Sequence, residues 1–347
     1  MKYQLEWCSW EITRKCNMDC DICLCGGFRD KTDSELDSRE ALELCAQIIE
    51  MGVQRVVLTG GEPLLRRDWD RIAGCLTEGS VEVQMITNGS LIDDKVIDRM
   101  QKSGIKRVSI SIDGTEEIHD AGRMAGSFRK CCAAIKLLQE AHIPVFVATT
   151  VTADNYDNLT ALKGTLADMG VEHWGLQLGL PFGNFATRDV EVLPPEKIPE
   201  LIDFCYQADR EGDMLIYPGD NIGYYTCKEA VVRSHALNTS QIPVYIGCPI
   251  GISTLTIECD GAVTNMSLCL EDRFAEGNIR ERSLREIWED ENSFAWRRNL
   301  TKDKLEGACG NCEYGDICLG GCPAVRYGLT GSLYSENQYC AYRSNLN

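Results

Sequence analysis

Cys16, Cys20 and Cys23 stand in the run Cys16-Asn17-Met18-Asp19-Cys20-Asp21-Ile22-Cys23, three thiols within eight residues. Three thiolates are one too few to close a tetrahedral zinc site or to saturate a 4Fe-4S cube, so one metal position stays open to a ligand that is not protein. The spacing x3 then x2 lets one loop wrap three corners of a cube, whereas zinc sites and disulfide frameworks usually bring thiols in matched pairs. The alternative, in a chain with 19 cysteines, is three unrelated buried thiols. A second thiol-rich stretch, Cys309-x2-Cys312-x5-Cys318-x3-Cys322, is followed by Cys340 and preceded by Cys248, Cys259 and Cys269. On spacing alone it suits a zinc ribbon or iron-sulfur ligands.

These thiols need a scaffold, and 347 residues with 44% apolar content supply a barrel-sized domain plus a smaller one. The 53 acidic against 35 basic residues give a formal charge of -18, which argues against nucleic acid or an anionic membrane as the partner. No apolar run opens the chain as a signal peptide would, and none reaches the length of a membrane span. A cytoplasmic location is expected, where so many cysteines read as metal ligands and buried thiols rather than disulfides.

Residues 4–178 alternate short β-rich runs with longer amphipathic stretches, the pattern of βα units with parallel strands. Strands are expected at 4–12, 53–58, 81–86, 107–112, 144–151 and 173–178, and helices at 38–51, 68–76, 93–103, 127–141 and 155–169. Six such units build either an open doubly wound sheet or a partial barrel, and both bind ligands at the carboxyl ends of their strands. The triad follows the first strand, Gly60-Gly61-Glu62-Pro63 the second and Thr87-Asn88-Gly89 the third, while Ser111-Ile112-Asp113-Gly114 ends the fourth. Glycines at 60 and 61 would let backbone approach a small ligand, and Glu62 is an acceptor suited to an ammonium group. Asn88, Ser111 and Asp113 also read as ordinary turn residues, and Arg123 as a solvated arginine. Prolines 181, 194, 195 and 199 mark a connecting region, with a helix expected at 196–210 and irregular chain to 246.

Cys-x3-Cys-x2-Cys after a first strand, Gly-Gly-Glu-Pro after a second and Ser-Ile-Asp-Gly after a fourth resemble the radical S-adenosylmethionine (SAM) enzymes. The resemblance implies an α/β fold, a partial (β/α)6 barrel over residues 1–180. It also implies a 4Fe-4S cluster on Cys16, Cys20 and Cys23 whose open iron chelates the amine and carboxylate of SAM. One-electron reduction then releases a 5'-deoxyadenosyl radical that removes a hydrogen atom from substrate. Gly60, Gly61 and Glu62 would hold the methionyl amine. Ser111, Asp113 and Asn88 resemble contacts to the SAM carboxylate or ribose, and Arg123 is a candidate partner of that carboxylate.

The x2, x5, x3 spacing resembles the SPASM extension of this family, which binds two further 4Fe-4S clusters, three in all. The family pattern assigns Cys309, Cys312, Cys318 and Cys340 to one auxiliary cluster, in a cysteine-rich iron-sulfur domain over 248–347. Cys322 joins Cys248, Cys269 and Cys259 at the other. Here the pattern is broken, since Met266 stands where a cysteine is usual after Gly261, leaving three or four ligands as open alternatives.

SPASM relatives mostly oxidise ribosomally made peptides or proteins, and some act on tetrapyrrole side chains. Auxiliary clusters suit removal of a second electron from the substrate radical, so an oxidative peptide modification is expected first. A small molecule such as a tetrapyrrole propionate comes second, and a non-catalytic electron carrier third. The carrier is disfavoured because it has no use for an open iron. The resemblance also implies an electron donor such as flavodoxin or ferredoxin. Only 15 residues precede Cys16, so leader recognition is expected from a separate protein, from residues 182–246, or not at all. No general acid or base is legible. Asp189, Asp220, Tyr224 and Tyr225, in the bridging segment 181–247, are candidates to line a substrate pocket, with packing roles as the alternative.

Overall fold

The computed structural model describes residues 3–26, 34–241, 244–266 and 274–344; Cys269 lies outside them. Its strands are β1 (Trp7–Thr13), β2 (Arg55–Gly60), β3 (Glu82–Thr87), β4 (Arg107–Ser111), β5 (Val145–Val151), β6 (His173–Leu178), β7 (Leu215–Pro218), β8 (Thr254–Ile257), β9 (Ala262–Thr264) and β10 (Ala275–Asn278). The first six fall where the hydrophobic pattern puts them, and the class is α/β with parallel strands. The chain divides into two compact units that interleave along the sequence: residues 1–111, 129–145 and 249–299 form one, and 112–128, 146–248 and 300–347 the other.

In the first unit the strands run in the order β10-β9-β8-β1-β2-β3-β4. β1 to β4 are parallel, and β8 joins the other side of β1, also in parallel, with Trp7 to Trp10 opposite Thr254 to Ile257. β9 and β10 continue antiparallel. β1 is buried on both faces from Trp10 to Thr13, as a parallel strand covered on both sides must be. Helix Ser38–Glu50 follows, burying Ala41, Leu44, Cys45 and Ile48 on one stripe. Its capping box is Asp37 with Glu40, one residue before the expected start at Ser38.

In the second unit β5, β6 and β7 are parallel. β7 is a strand within the stretch expected to be irregular; four residues ending in Pro218 carry too little periodicity to be read. The helix expected over 155–169 is two, Ala153–Tyr156 and Leu159–Asp168, the first opened early by a capping box between Thr152 and Asn155. Helices Ile198–Glu211 and Cys227–Ala236 complete this unit beside β7. Among the described residues no helix is long and apolar enough to cross a membrane.

Candidate functional site

β1 delivers the cysteine triad. Its pairing with β2 slips one residue between Glu11 and Thr13, a bulge that re-aims the chain as it leaves the sheet. The loop that follows is fastened by the Gly60-Gly61-Glu62 run: Gly61 N–H donates to Thr13 O at 2.8 Å and Glu62 N–H to Lys15 O at 2.7 Å. The approach is so close that a Cβ at Gly60, whose φ is +151°, would stand 2.1 Å from Thr13 O, and one at Gly61 2.3 Å from Lys15 O. The two glycines therefore make room for the loop that carries Cys16, where the sequence suggested room for a ligand. Arg66 Nη1 adds a bond to Ile12 O at 2.8 Å, and Glu35 Oε1 accepts from Thr13 Oγ1 and Arg14 N, both at 2.9 Å.

Glu62 also departs from expectation. The residue is fully buried, and its carboxylate accepts from Leu64 N (3.1 Å), Thr87 Oγ1 (2.7 Å) and Asn88 N (2.8 Å). The side chain faces inward and ties the end of β3 to the glycine run. Burial pushes its carboxyl up to about 7 against the three hydrogen bonds. A carboxyl raised in this way keeps a proton in the folded state that the unfolded chain has released. Its effect is a loss of stability as pH rises from about 4.5 through about 7. Glu62→Gln is expected to flatten that fall, read as the anaerobic melting midpoint against pH; an unchanged slope would sink the idea.

Asn88 is likewise a fastener. Its Nδ2 donates to Asn17 Oδ1 at 2.9 Å, its Oδ1 accepts from Ser90 Oγ at 2.7 Å, and Asn17 Nδ2 returns to Ser90 Oγ at 2.8 Å. Asn17 sits inside the triad, so the end of β3 grips the cysteine loop itself. The half-buried Ser111 hydroxyl, at the end of β4, makes no hydrogen bond to another described residue. It is the expected SAM contact whose side chain the fold leaves available. Cys259 belongs to this unit; its thiol is buried, pushed up to about 12, and flanked by Arg14, Glu35, Glu11 and Asp260. Arg14 makes a buried ion pair with Glu258, a feature with no signature in the sequence.

In the second unit Asp113 and Arg123 meet each other. Asp113 Oδ2 accepts from Arg123 Nε at 2.5 Å and Oδ1 from Thr150 N at 2.9 Å, with both side chains nearly buried. Each was expected to contact SAM; the structure instead pairs them, because two opposite charges leaving water together need one another. His119 accepts from Asp113 N at 3.2 Å, and burial, helped by Arg123, lowers it to about 4, so it is a neutral acceptor.

The same unit gathers Cys309, Cys312, Cys318 and Cys340, whose charges act on one another at close range. Short helices Gly307–Asn311 and Gly315–Cys318 carry Cys309 and Cys318, Cys312 is the C-cap of the first, and a bridge between Gly223 and Cys340 brings in the fourth. Asn337 N–H donates to Cys309 Sγ at 3.4 Å. Burial and mutual repulsion push Cys318 up to about 12 and Cys340 up to about 11, which keeps these thiols protonated until a metal displaces the protons. Tyr224, Tyr225, Tyr245 and Tyr314 pack around Cys318 and Cys340, and thiols are the soft donors that iron-sulfur clusters take.

Tyr224 and Tyr225, candidates for a substrate pocket, wall these thiols instead. Tyr225 stacks on Tyr314 with centroids 4.2 Å apart, and Tyr224 Oη accepts from Cys322 N at 3.0 Å while donating to Asp220 O at 2.6 Å. Cys248 and Cys322 both act on the Tyr245 hydroxyl. A separate cavity of about 300 Å³ lies in this unit against Phe146, Leu176, Gln177, Tyr217 and Asp220. Arg233 also lines it, but its guanidinium is bound to Pro218 O, Gly219 O and Ile222 O, each at 2.9 Å, and to Glu229.

Residues 10–167 match the radical SAM superfamily and residues 248–313 match SPASM, an iron-sulfur cluster-binding domain. The AdoMet-dependent heme synthase of Methanosarcina barkeri is 29% identical, with 96% of each chain covered. The PqqA peptide cyclase of Granulibacter bethesdensis is 26% identical over 95% of this chain and 86% of its own. A solved structure described as "Native anSMEcpe with bound AdoMet" shares the fold, with a TM-score of 0.74 at 19% identity over 96% of this chain and 94% of the other.

Proposed function

Because the chain belongs to the radical SAM enzymes and carries a SPASM iron-sulfur domain, we propose that it oxidises a peptide side chain, the electron lost by the substrate leaving through auxiliary clusters. When bound, the cluster on Cys16, Cys20 and Cys23 and SAM supply reductive cleavage of the sulfonium bond and a hydrogen-abstracting 5'-deoxyadenosyl radical. The protein's part is positional. Gly60 to Glu62 lock the cysteine loop, Asn88 grips Asn17, and Ser111 offers a hydroxyl at the end of β4. Cys309, Cys312, Cys318 and Cys340 would hold one auxiliary cluster, with Cys248, Cys322, Cys259 and Cys269 as the ligands proposed for the other. A flavodoxin or ferredoxin is the proposed source of the first electron.

The observation that carries the peptide reading is the cavity on β5 to β7. Its walls are mostly apolar, Asp220 is an exposed carboxylate there, and the guanidinium of Arg233, 3.9 Å from Asp220, is bonded to three backbone carbonyls and to Glu229. Such a pocket accepts an apolar or cationic side chain and repels a carboxylate, and the net charge of -18 acts in the same direction. The PqqA peptide cyclase is named for a peptide substrate. The likeness to AdoMet-dependent heme synthase favours a second reading, a small tetrapyrrole substrate.

Reconstituted protein with SAM and dithionite is expected to form 5'-deoxyadenosine, and more of it with short peptides encoded beside its gene than with iron-coproporphyrin. Mass spectrometry should show the peptide oxidised by loss of hydrogen. Turnover of the tetrapyrrole alone would replace the first reading with the second.

A further inference from the structure

Arg326 is the odd arginine of the second unit. It lies on helix Pro323–Thr330, one turn after Cys322, and is 1% exposed, yet its Nε and Nη1 have no hydrogen-bond partner among the described residues. It makes no ion pair with a described carboxylate. Arg233, buried to a similar degree, has three carbonyls and Glu229 on its guanidinium. A buried guanidinium without an anion costs several kcal/mol, so a fold that keeps one has an anion to put there.

The backbone is shaped around that charge. Leu319, Gly320 and Gly321 run through the left-handed region at φ of +50°, +78° and +66°. A Cβ at Gly320 would stand 2.3 Å from Arg326 Nη1, so the glycine leaves space for the fork. The groups acting on the guanidinium are Cys309, Cys322, Tyr224 and Tyr245. Tyr224 Oη is already bonded to Asp220 O and Cys322 N. Cys309 belongs to the four-thiol group and Cys322 to the ligands proposed for the other auxiliary cluster, so Arg326 stands near both. Thiolate-ligated clusters are net anions, and their potentials respond to charge and to hydrogen bonds at sulfur.

We propose that Arg326 is the internal counter-charge of the auxiliary clusters, donating Nε–H and Nη1–H toward sulfur on the Cys309 and Cys322 sides and raising their reduction potential. A fixed positive charge stabilises the reduced cluster, which carries one more electron, and so makes it a readier acceptor of the electron leaving the substrate. Arg326 would act through the clusters and is a positioning residue. The inference rests on the auxiliary-cluster reading above.

The test is an anaerobic redox titration followed by electron paramagnetic resonance, in full-length protein whose Cys16, Cys20 and Cys23 are alanine so that only auxiliary signals remain. Arg326→Gln is expected to keep its iron and to show a reduced-to-oxidised ratio about tenfold lower at the parent midpoint, a shift of about 59 mV for a one-electron couple. Arg326→Lys keeps the charge and should titrate as the parent does. Loss of auxiliary iron in Arg326→Gln but not in Arg326→Lys would also support the proposal. Loss in both, an equal shift in both, or no shift in Arg326→Gln overturns it. Absence of auxiliary iron from the parent itself would instead overturn the cluster reading on which it rests.

Discussion

Replacing Cys16, Cys20 and Cys23 together by alanine abolishes 5'-deoxyadenosine formation and removes about four irons per chain, the content of one cube, while iron held by the remaining cysteines stays. The reasoning is local. The three thiols sit on one loop after β1, and Cys309, Cys312, Cys318 and Cys340 form a separate group in the other unit with its own tyrosine walls. Losing the first set leaves the second set's ligands and packing unchanged. Iron and sulfide analysis beside chromatographic assay of 5'-deoxyadenosine checks both halves. Unchanged iron, or cleavage of SAM that survives, would refute the assignment of the triad as the site of reduction.

Gly60→Ala is expected to come close to the triad variant without touching a ligand. The added methyl would lie 2.1 Å from Thr13 O, and the residue must hold φ +151°, a region costing an L side chain about 1–3 kcal/mol. Relief requires the glycine run and the loop to part, which breaks Gly61 N–H to Thr13 O and moves the loop that carries Cys16. A displacement of about 1 Å costs on the order of a hundredfold in rate when reacting groups are held by position alone. SAM cleavage should therefore fall by about that factor or more, with auxiliary iron at wild-type content. Gly74→Ala, where nothing lies within 4 Å of the new methyl, is the control and should remain active. Full activity in Gly60→Ala would show that the close approach does not matter.

The legible parts of this protein were those with a period or a motif. Six parallel strands declared themselves through apolar runs, and the cysteine spacings through their rarity. β7 did not, since Leu215 to Pro218 is too short to show alternation, and β8 did not because its partner, β1, is distant in sequence. The motif residues are legible, but which way their side chains turn is not. Gly60 and Glu62 were read as facing a ligand, when their nearest neighbours are Thr13, Lys15, Thr87 and Asn88, and no sequence pattern says which way a side chain turns. Asp113 and Arg123 each looked like a ligand contact because a pairing ten residues apart depends on how helix Glu116–Gly122 returns to the end of β4. Arg326 carries no motif at all.

The place of β8 beside β1 has a consequence for biosynthesis. Thr254 follows Trp7 by 247 positions, so one edge of the strand that leads to the triad has no neighbour until that much chain has left the ribosome. At about 5–20 residues per second that wait lasts roughly 10–50 s. Through it an apolar strand lies open along one side, with thiols at its end, and both are hazards to a growing chain. Iron delivered to Cys16, Cys20 and Cys23 early would meet a loop still unsupported by Arg14 and Glu258, whereas delivery after release would meet a finished one. The strand order thus favours metal insertion as a late event, after translation is complete.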